Sequence, residues 1–219
     1  MNLNPLKIYH ILCTERTGST LLYEYLINFN FNNFKNTKRP ESVLNGEIFR
    51  PDTEPLENSF RYVYNQLNTY DTHIIIKFMP YHIQDDIYKD IFTSFYDNEL
   101  YCFLRLQRKD KLRQLLSYLI AVYCHYDNIK IHEFTKSKKQ IPFDNKIINE
   151  INNFKSKLEI FDEFEMENCE ELYYEDFISE IKLLNQGSYN YVYDNFSKIN
   201  YEEKFEEIEN LKENFYNEI

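Results

Sequence analysis

Three short apolar runs, rich in β-branched and aromatic residues, constrain the fold most. The runs are Lys7–Cys13 (KIYHILC), His73–Met79 (HIIIKFM) and Leu100–Leu106 (LYCFLRL). Strands of a parallel sheet are covered by helices on both faces, so they appear in a sequence as nearly continuous apolar runs. The three runs therefore predict three buried parallel strands.

Segments with helical periodicity follow and separate these runs. Apolar residues recur at helical spacing within Thr14–Tyr25, and the leucines of Asp110–Cys124 fall on one helical face. Helices are also predicted over Asn58–Leu67, Asn145–Phe164 and Asn200–Ile219, with a polar connection over Glu133–Phe143. This order predicts an α/β fold with a central, mostly parallel sheet flanked by helices, which binds ligands at the carboxyl ends of its strands. The sequence contains no internal repeat or linker-like segment, so we expect one domain over residues 1–219.

Composition and segment lengths narrow the class of protein. Hydrophobic residues make up 43% of the 219 residues, which is enough for a substantial core. The longest apolar stretch, Leu115–Cys124, is about half the length of a membrane-spanning helix. Residues Met1–Lys7 lack the basic and apolar regions of a secretory leader. We therefore expect a cytoplasmic protein without a transmembrane segment.

Cysteine and histidine spacing does not favour a metal site. The four cysteines form no CxxC pair and lie in or beside apolar runs, as reduced buried thiols do. The five histidines form neither an HxH nor an HExxH pattern. We expect neither a bound metal nor a framework of disulfides.

Charge is distributed unevenly along an acidic chain. The net charge is −11, yet residues 101–140 contain nine Lys and Arg against three acidic residues. From Glu150 onward there are nineteen acidic residues against six lysines. A nucleic acid needs a broad basic face, whereas a single basic segment suits a small anion. We therefore expect a small anionic ligand and no nucleic-acid partner.

The most specific motif is the segment Thr14–Thr20 (TERTGST), between the first predicted strand and the following helix. Backbone N–H groups and the positive end of the helix dipole converge at such a junction and form an anion site. Gly18, one of only three glycines in the chain, allows close approach of the backbone. The Walker pattern would need glycine at Cys13 and lysine at Ser19, so the loop differs from that of nucleotide triphosphatases.

This segment resembles the 5′-phosphosulfate loop of sulfotransferases that use 3′-phosphoadenosine 5′-phosphosulfate (PAPS), a basic residue followed by [ST]-G-[ST]-[ST]. A second segment, Tyr101–Ala121, resembles the family's strand and helix for the 3′-phosphate. The RxDxxxQxxS pattern of the bacterial trehalose sulfotransferase branch is matched by Arg108, Asp110, Gln114 and Ser117. The resemblance implies that Arg108 and Ser117 bind the 3′-phosphate, with Lys109 as the alternative to Arg108.

The resemblance also implies roles for other residues. It assigns cofactor binding to the whole loop, namely Thr14, Glu15, Arg16, Thr17, Gly18, Ser19 and Thr20. Arg16 would stabilise the departing 5′-phosphate, and Lys77, on the second strand, would assist it. Glu47 is the preferred general base, with Glu54 and Glu41 as competitors. Lys198 occupies a position of a further cofactor contact, and Glu171–Phe177 (ELYYEDF) matches an element that is mostly structural.

Together these matches imply a P-loop-like sulfotransferase fold and an enzyme. Its reaction would be in-line transfer of the sulfuryl group from PAPS to a hydroxyl of a carbohydrate or glycolipid, without a metal. Two alternatives stay open from the sequence. One is a P-loop kinase or nucleotide-binding protein acting on a small molecule, and the other is a non-catalytic remnant that still binds PAPS or its product. Neither the acceptor nor the oligomeric state follows from the sequence.

Overall fold

The structure is a computed structural model that describes residues 8–23, 25–26, 74–82, 101–164, 169–184 and 199–217. The chain divides into two compact units. The first comprises Met1–Gln107 and Ile160–Leu172, and the second comprises Arg108–Glu159 and Tyr173–Ile219. The predictions for residues 58–67 and for Glu41, Glu47, Glu54 and Lys198 lie outside the described residues. The expectation of one domain stays a prediction.

The first unit contains a four-stranded parallel sheet. Its strands are β1 (Ile8–Leu12), β2 (Ile74–Phe78), β3 (Tyr101–Gln107) and β4 (Cys169–Tyr173, of which residues to 172 belong here), in the spatial order β2-β1-β3-β4. Helices flank the sheet, so the prediction of an α/β fold with a central parallel sheet is confirmed. Residues 9–12 of β1 are all buried, which explains why this strand has no polar alternation in sequence.

The strand β4 was not predicted, and its composition explains the omission. Its sequence, CEELY, has two adjacent glutamates, and its residues are half-buried or exposed. It lies at the end of the strand order. An edge strand with a solvated face needs no continuous apolar run.

The register of the sheet brings the ends of its strands to one edge. Ile11 pairs with Lys77 of β2, and Leu12 pairs with Arg105 of β3. The chain turns after β1 and becomes helical at residues 19–23 and 25–26, here called α1. Leu22 and Leu26 of α1 are at most 1% exposed, which confirms the predicted strand, loop and helix.

The second unit is helical and has one large hydrophobic cluster. Its helices are α2 (Lys111–Tyr126), α3 (Ile131–Lys136), α4 (Asn145–Glu163, of which residues to 159 belong here), α5 (Tyr174–Leu184) and α6 (Ile208–Tyr216). Asp110 caps α2 by accepting a hydrogen bond from the N–H of Arg113 (2.8 Å). Leu119, Ile151 and Phe154 lie at the centre of the cluster and are fully buried. No helix among the described residues is long and apolar enough to cross a membrane.

Two predicted segments of this unit differ from the structure. The connection Glu133–Phe143 was predicted as irregular, but α3 occupies its first part, where Phe134 is buried. The helix predicted over Asn200–Ile219 starts only at Ile208. Before it, Phe205 forms a β-bridge with Ile141, which requires extended backbone instead of helix. In both places a buried aromatic residue lies in the segment that differs from the prediction.

Candidate functional site

The loop after β1 has an unusual backbone conformation. Arg16 has φ 59° and Gly18 has φ 93°, so two of three consecutive residues are in the left-handed region. That region costs a residue with a Cβ about 1 kcal/mol or more, and such strain concentrates at ligand sites. Glycine removes the cost at residue 18, where the backbone enters the helix.

Buried hydrogen bonds fix this loop. The hydroxyl of Thr17 donates to the carbonyl oxygen of Thr14 (2.9 Å), and both residues are 1% exposed. The N–H of Cys13 donates to the carbonyl oxygen of Phe78 on β2 (2.9 Å). The loop is therefore a fixed structure joined to a neighbouring strand, as a preorganised anion site requires.

The start of α1 places backbone donors directly after the loop. The carbonyl oxygen of Gly18 accepts from the N–H groups of Leu21 (3.0 Å) and Leu22 (3.1 Å), so Gly18 is the first residue of the helical ladder. The N–H groups of Ser19 and Thr20 belong to the first turn and have no acceptor within the helix. With the helix dipole they form a small positive region that suits a phosphate or a sulfate.

A buried lysine from β2 adds a full charge to this turn. The ammonium of Lys77 donates a hydrogen bond to the hydroxyl of Thr20 (3.2 Å), and Lys77 is only 1% exposed. The structure therefore brings together two residues that the sequence assigned separately. Burial of an ammonium is costly unless it is hydrogen-bonded, so its position beside the loop is specific.

Glu15 and Arg16 are both half-buried within the same loop. Arg16 places a guanidinium in this loop, and its role toward a departing phosphate stays a prediction. The carboxylate of Glu15 would repel an anion, so only its backbone N–H is suited to the cofactor role assigned to it.

The second unit contains the residues predicted for the 3′-phosphate. The guanidinium carbon of Arg108 lies 4.2 Å from the centre of the Tyr174 ring, a cation–π contact. The Nε of Arg108 is buried and has no hydrogen-bond acceptor among the residues that the structure describes. A buried guanidinium N–H without an acceptor is uncommon, and an anion is one partner that would supply the acceptor.

Lys109, the alternative ligand, is differently placed. Its ammonium donates to Oδ1 of Asp176 at 2.6 Å, although the lysine side chain is 54% exposed. This hydrogen bond raises the pKa of Lys109 above its ordinary value. Its charge is therefore already balanced by a carboxylate, and the geometry favours Arg108 over Lys109 as an anion ligand.

Ser117 and Gln114 lie one turn apart on α2 and are both buried, with 4% and 0% exposure. Asp110, the remaining residue of the matched pattern, caps the helix. The pattern therefore combines a cap, two buried polar residues and an arginine that precedes the helix.

Contacts of Glu175 and Asp176 were not foreseen in the sequence. The segment Glu171–Phe177 was expected to be mostly structural, yet the carboxylate of Glu175 accepts from the backbone N–H of Lys109 (3.0 Å) and of Asp110 (3.4 Å). No spacing rule connects residues 65 or 66 positions apart. The available signal was the adjacent Tyr-Glu-Asp sequence at a helix start.

Other features of the described residues lie apart from these motifs. A surface pocket of about 310 Å³ is lined by Phe143, Asn210, Glu213, Asn214 and Asn217, none of which was predicted as a site residue. No group of three or more His, Cys, Asp or Glu side chains within the described ranges could hold a metal ion.

Comparisons with known proteins add no family to this description. No protein-family model matches the chain, and a comparison with curated proteins found no match.

Proposed function

We propose that the chain is a sulfotransferase that transfers the sulfuryl group of PAPS to a hydroxyl of a carbohydrate or glycolipid. The observation that carries the proposal is Arg108, whose buried Nε has no acceptor among the described residues. The resemblance assigns the 3′-phosphate to this residue. A phosphate oxygen would supply the missing acceptor, and a guanidinium suits it because its donors form a planar fork.

The loop after β1 supports the same proposal through its chemistry. Thr20, Lys77 and the first N–H groups of α1 form a cationic, donor-rich turn. PAPS supplies the activated sulfuryl group. In this chain, Arg16 and the N–H groups would balance the negative charge that develops on the leaving phosphate, and Lys77 would hold Thr20 in place. The acceptor proton requires a base, for which Glu47 stays the prediction.

Cofactor binding gives the first test. Adenosine 3′,5′-bisphosphate, the product left by PAPS, should stabilise the protein by about 2.7 kcal/mol at a hundredfold excess over its Kd. ATP with Mg²⁺ should stabilise it much less, since Ser19 stands where a Walker lysine would lie. Thermal unfolding with each nucleotide measures both effects. Stabilisation by ATP with Mg²⁺ but not by the bisphosphate would reject the sulfotransferase in favour of a nucleotide-triphosphate site.

A matched pair of variants tests the arginine itself. Arg108→Ala should weaken bisphosphate binding by about tenfold or more, since a hydrogen bond to a charged group contributes ~1.5 to 3 kcal/mol. Lys109→Ala should change it by less than about twofold, because an exposed ion pair contributes little. Calorimetric titration gives both affinities. Equal effects of the two substitutions would remove the basis for choosing Arg108.

Activity requires a separate experiment. Transfer of labelled sulfate from PAPS should be measured across a panel of sugars and glycolipids, with Glu47→Gln as the variant. We expect transfer to a hydroxyl acceptor by the wild type, and slower turnover with unchanged bisphosphate affinity in Glu47→Gln. Bisphosphate binding without transfer to any acceptor would instead favour a non-catalytic binding protein.

A further inference from the structure

We propose that Glu175 is a positioning residue, which holds the turn before α2 so that Arg108 faces a 3′-phosphate. This inference rests on the proposed function, because it assumes that Arg108 binds that phosphate. It concerns how residues of the second unit hold Arg108 in position. Tyr174 and Asp176, on either side of Glu175, take part through contacts of their own.

The contacts of Glu175 are with backbone, not with the ligand-binding side chain. One carboxylate oxygen accepts from the N–H of Lys109 at 3.0 Å, and the other accepts from the N–H of Asp110 at 3.4 Å. These two N–H groups directly follow Arg108 in the chain. A carboxylate that binds two consecutive backbone donors fixes the direction in which the preceding residue leaves the turn.

The residues on either side of Glu175 complete the arrangement. The ring of Tyr174 lies against one face of the Arg108 guanidinium (4.2 Å), so an acceptor has to approach in the plane of the N–H groups. Asp176 binds the ammonium of Lys109 (2.6 Å). Three consecutive residues at the start of α5 thus contact three consecutive residues before α2.

These contacts also select which group remains to bind an anion. Glu175 and Asp176 occupy the backbone N–H groups of Lys109 and Asp110 and the Lys109 ammonium. Arg108 has no hydrogen-bond acceptor for its buried Nε within the described parts of the chain. The arrangement therefore directs an incoming phosphate to Arg108 and not to its neighbours.

A positioning role predicts an effect that depends on the 3′-phosphate. The test compares the affinity for adenosine 3′,5′-bisphosphate with that for adenosine 5′-phosphosulfate, which lacks the 3′-phosphate. Glu175→Ala should weaken bisphosphate binding by about tenfold, comparable to the loss of a charge-assisted contact, and change phosphosulfate binding by less than about twofold. Glu175→Gln keeps one carbonyl oxygen as an acceptor, so it should weaken bisphosphate binding by less than Glu175→Ala does.

Two controls separate positioning from a general loss of structure. Glu171→Gln changes an exposed carboxylate on β4 and should leave both affinities unchanged. In an Arg108→Ala background, Glu175→Ala should cause no further loss of bisphosphate affinity, because its effect passes through the arginine. Calorimetric titration supplies the affinities, and far-ultraviolet circular dichroism checks that each variant is folded.

The outcomes distinguish failure of the positioning role of Glu175 from failure of the proposed function. Equal weakening of both nucleotides by Glu175→Ala, or an additive loss in the Arg108→Ala background, would overturn the positioning role. Unchanged bisphosphate affinity in Glu175→Ala would overturn it as well. A wild-type protein that binds neither nucleotide would reject the proposed function itself, which is a separate result from failure of the variant.

Discussion

The ammonium nitrogen of Lys77 lies 3.2 Å from the hydroxyl oxygen of Thr20, although 57 positions separate the two residues. Lys77 comes from β2, and Thr20 lies in the first turn of α1, directly after the loop. Parallel pairing of β2 with β1 makes the contact possible, because both strands run toward the same edge. A lysine side chain is usually flexible, whereas here the hydrogen bond to Thr20 holds the ammonium of Lys77 at one position.

Replacement of Lys77 tests its role in anion binding. Lys77→Met keeps the apolar stem but removes the charge, so bisphosphate affinity should fall by about tenfold, the loss expected for one hydrogen bond to a charged group. Lys138→Met removes an exposed lysine and serves as the control. Calorimetric titration compares the two variants. Wild-type affinity in Lys77→Met would exclude Lys77 from the anion site.

The conformation of Gly18 predicts a second effect. At φ 93° a Cβ is disfavoured, so Gly18→Ala should lower the free energy of unfolding by about 1 kcal/mol or more. The same substitution should remove measurable bisphosphate binding, because the backbone can no longer approach the anion. Urea unfolding and calorimetric titration give the two quantities.

Asn128 provides a matched control, since it is also left-handed, with φ 54°, and follows α2 in the second unit. Asn128→Ala should cost less stability than Gly18→Ala, because Asn already has a Cβ and only its local preference for this region is lost. It should leave bisphosphate binding intact. If Gly18→Ala and Asn128→Ala reduced affinity equally, the effect of Gly18 would be one of stability alone.

The sequence predicts the buried strands well because burial on both faces leaves a simple signal. The strands β1, β2 and β3 each begin and end within one residue of the predicted runs. β4 has no such signal, since its two glutamates suit an edge position. The helix α3 also has no clear sequence signal, because one buried phenylalanine in a Lys-rich stretch does not form a periodic pattern.

The candidate site shows a different limit of sequence analysis. Spacing alone admits both Arg108 and Lys109, and only the resemblance of the RxDxxxQxxS pattern favours Arg108. The contact between Asp176 and the Lys109 ammonium joins residues 67 positions apart and favours Arg108 as well, but spacing gives no signal of it. Such pairings follow from the arrangement of helices and not from local sequence. The same holds for the contact of Lys77 with Thr20.

Cys169 on β4 should be a poor nucleophile. Burial raises its pKa from 9.0 to about 11, so at pH 8 its thiolate fraction is about 1 in 1,000, against roughly one tenth at the unshifted value. Alkylation by iodoacetamide at pH 8 should therefore be about a hundredfold slower in the folded protein than in the urea-unfolded protein. Peptide mass spectrometry measures the rate at this residue. Equal rates in the two states would contradict a half-buried, protonated thiol.

His10 gives the stability a pH dependence whose sign follows from its burial. The imidazole lies in the middle of β1, is 2% exposed and stacks on Phe103, with ring centres 4.9 Å apart. Burial lowers its pKa from 6.5 to about 3. Below pH 6.5 the unfolded chain binds a proton that the folded protein does not. Stability is therefore lost as the pH falls from about 6.5 toward 3, and is unaffected by this group above that range.

Comparison with His10→Gln isolates this contribution, since the two proteins share every other titrating group. The free energy of unfolding of the wild type should fall more steeply between pH 6 and pH 4, by up to about 1.4 kcal/mol per pH unit. Above pH 7.5 the difference between the two proteins should be constant, whatever its size, because His10 is then neutral in both states. Urea unfolding at half-unit pH intervals measures the two curves. Parallel curves from pH 4 to 8 would mean that His10 is protonated in the folded protein as readily as in the unfolded chain, contrary to its position within the sheet.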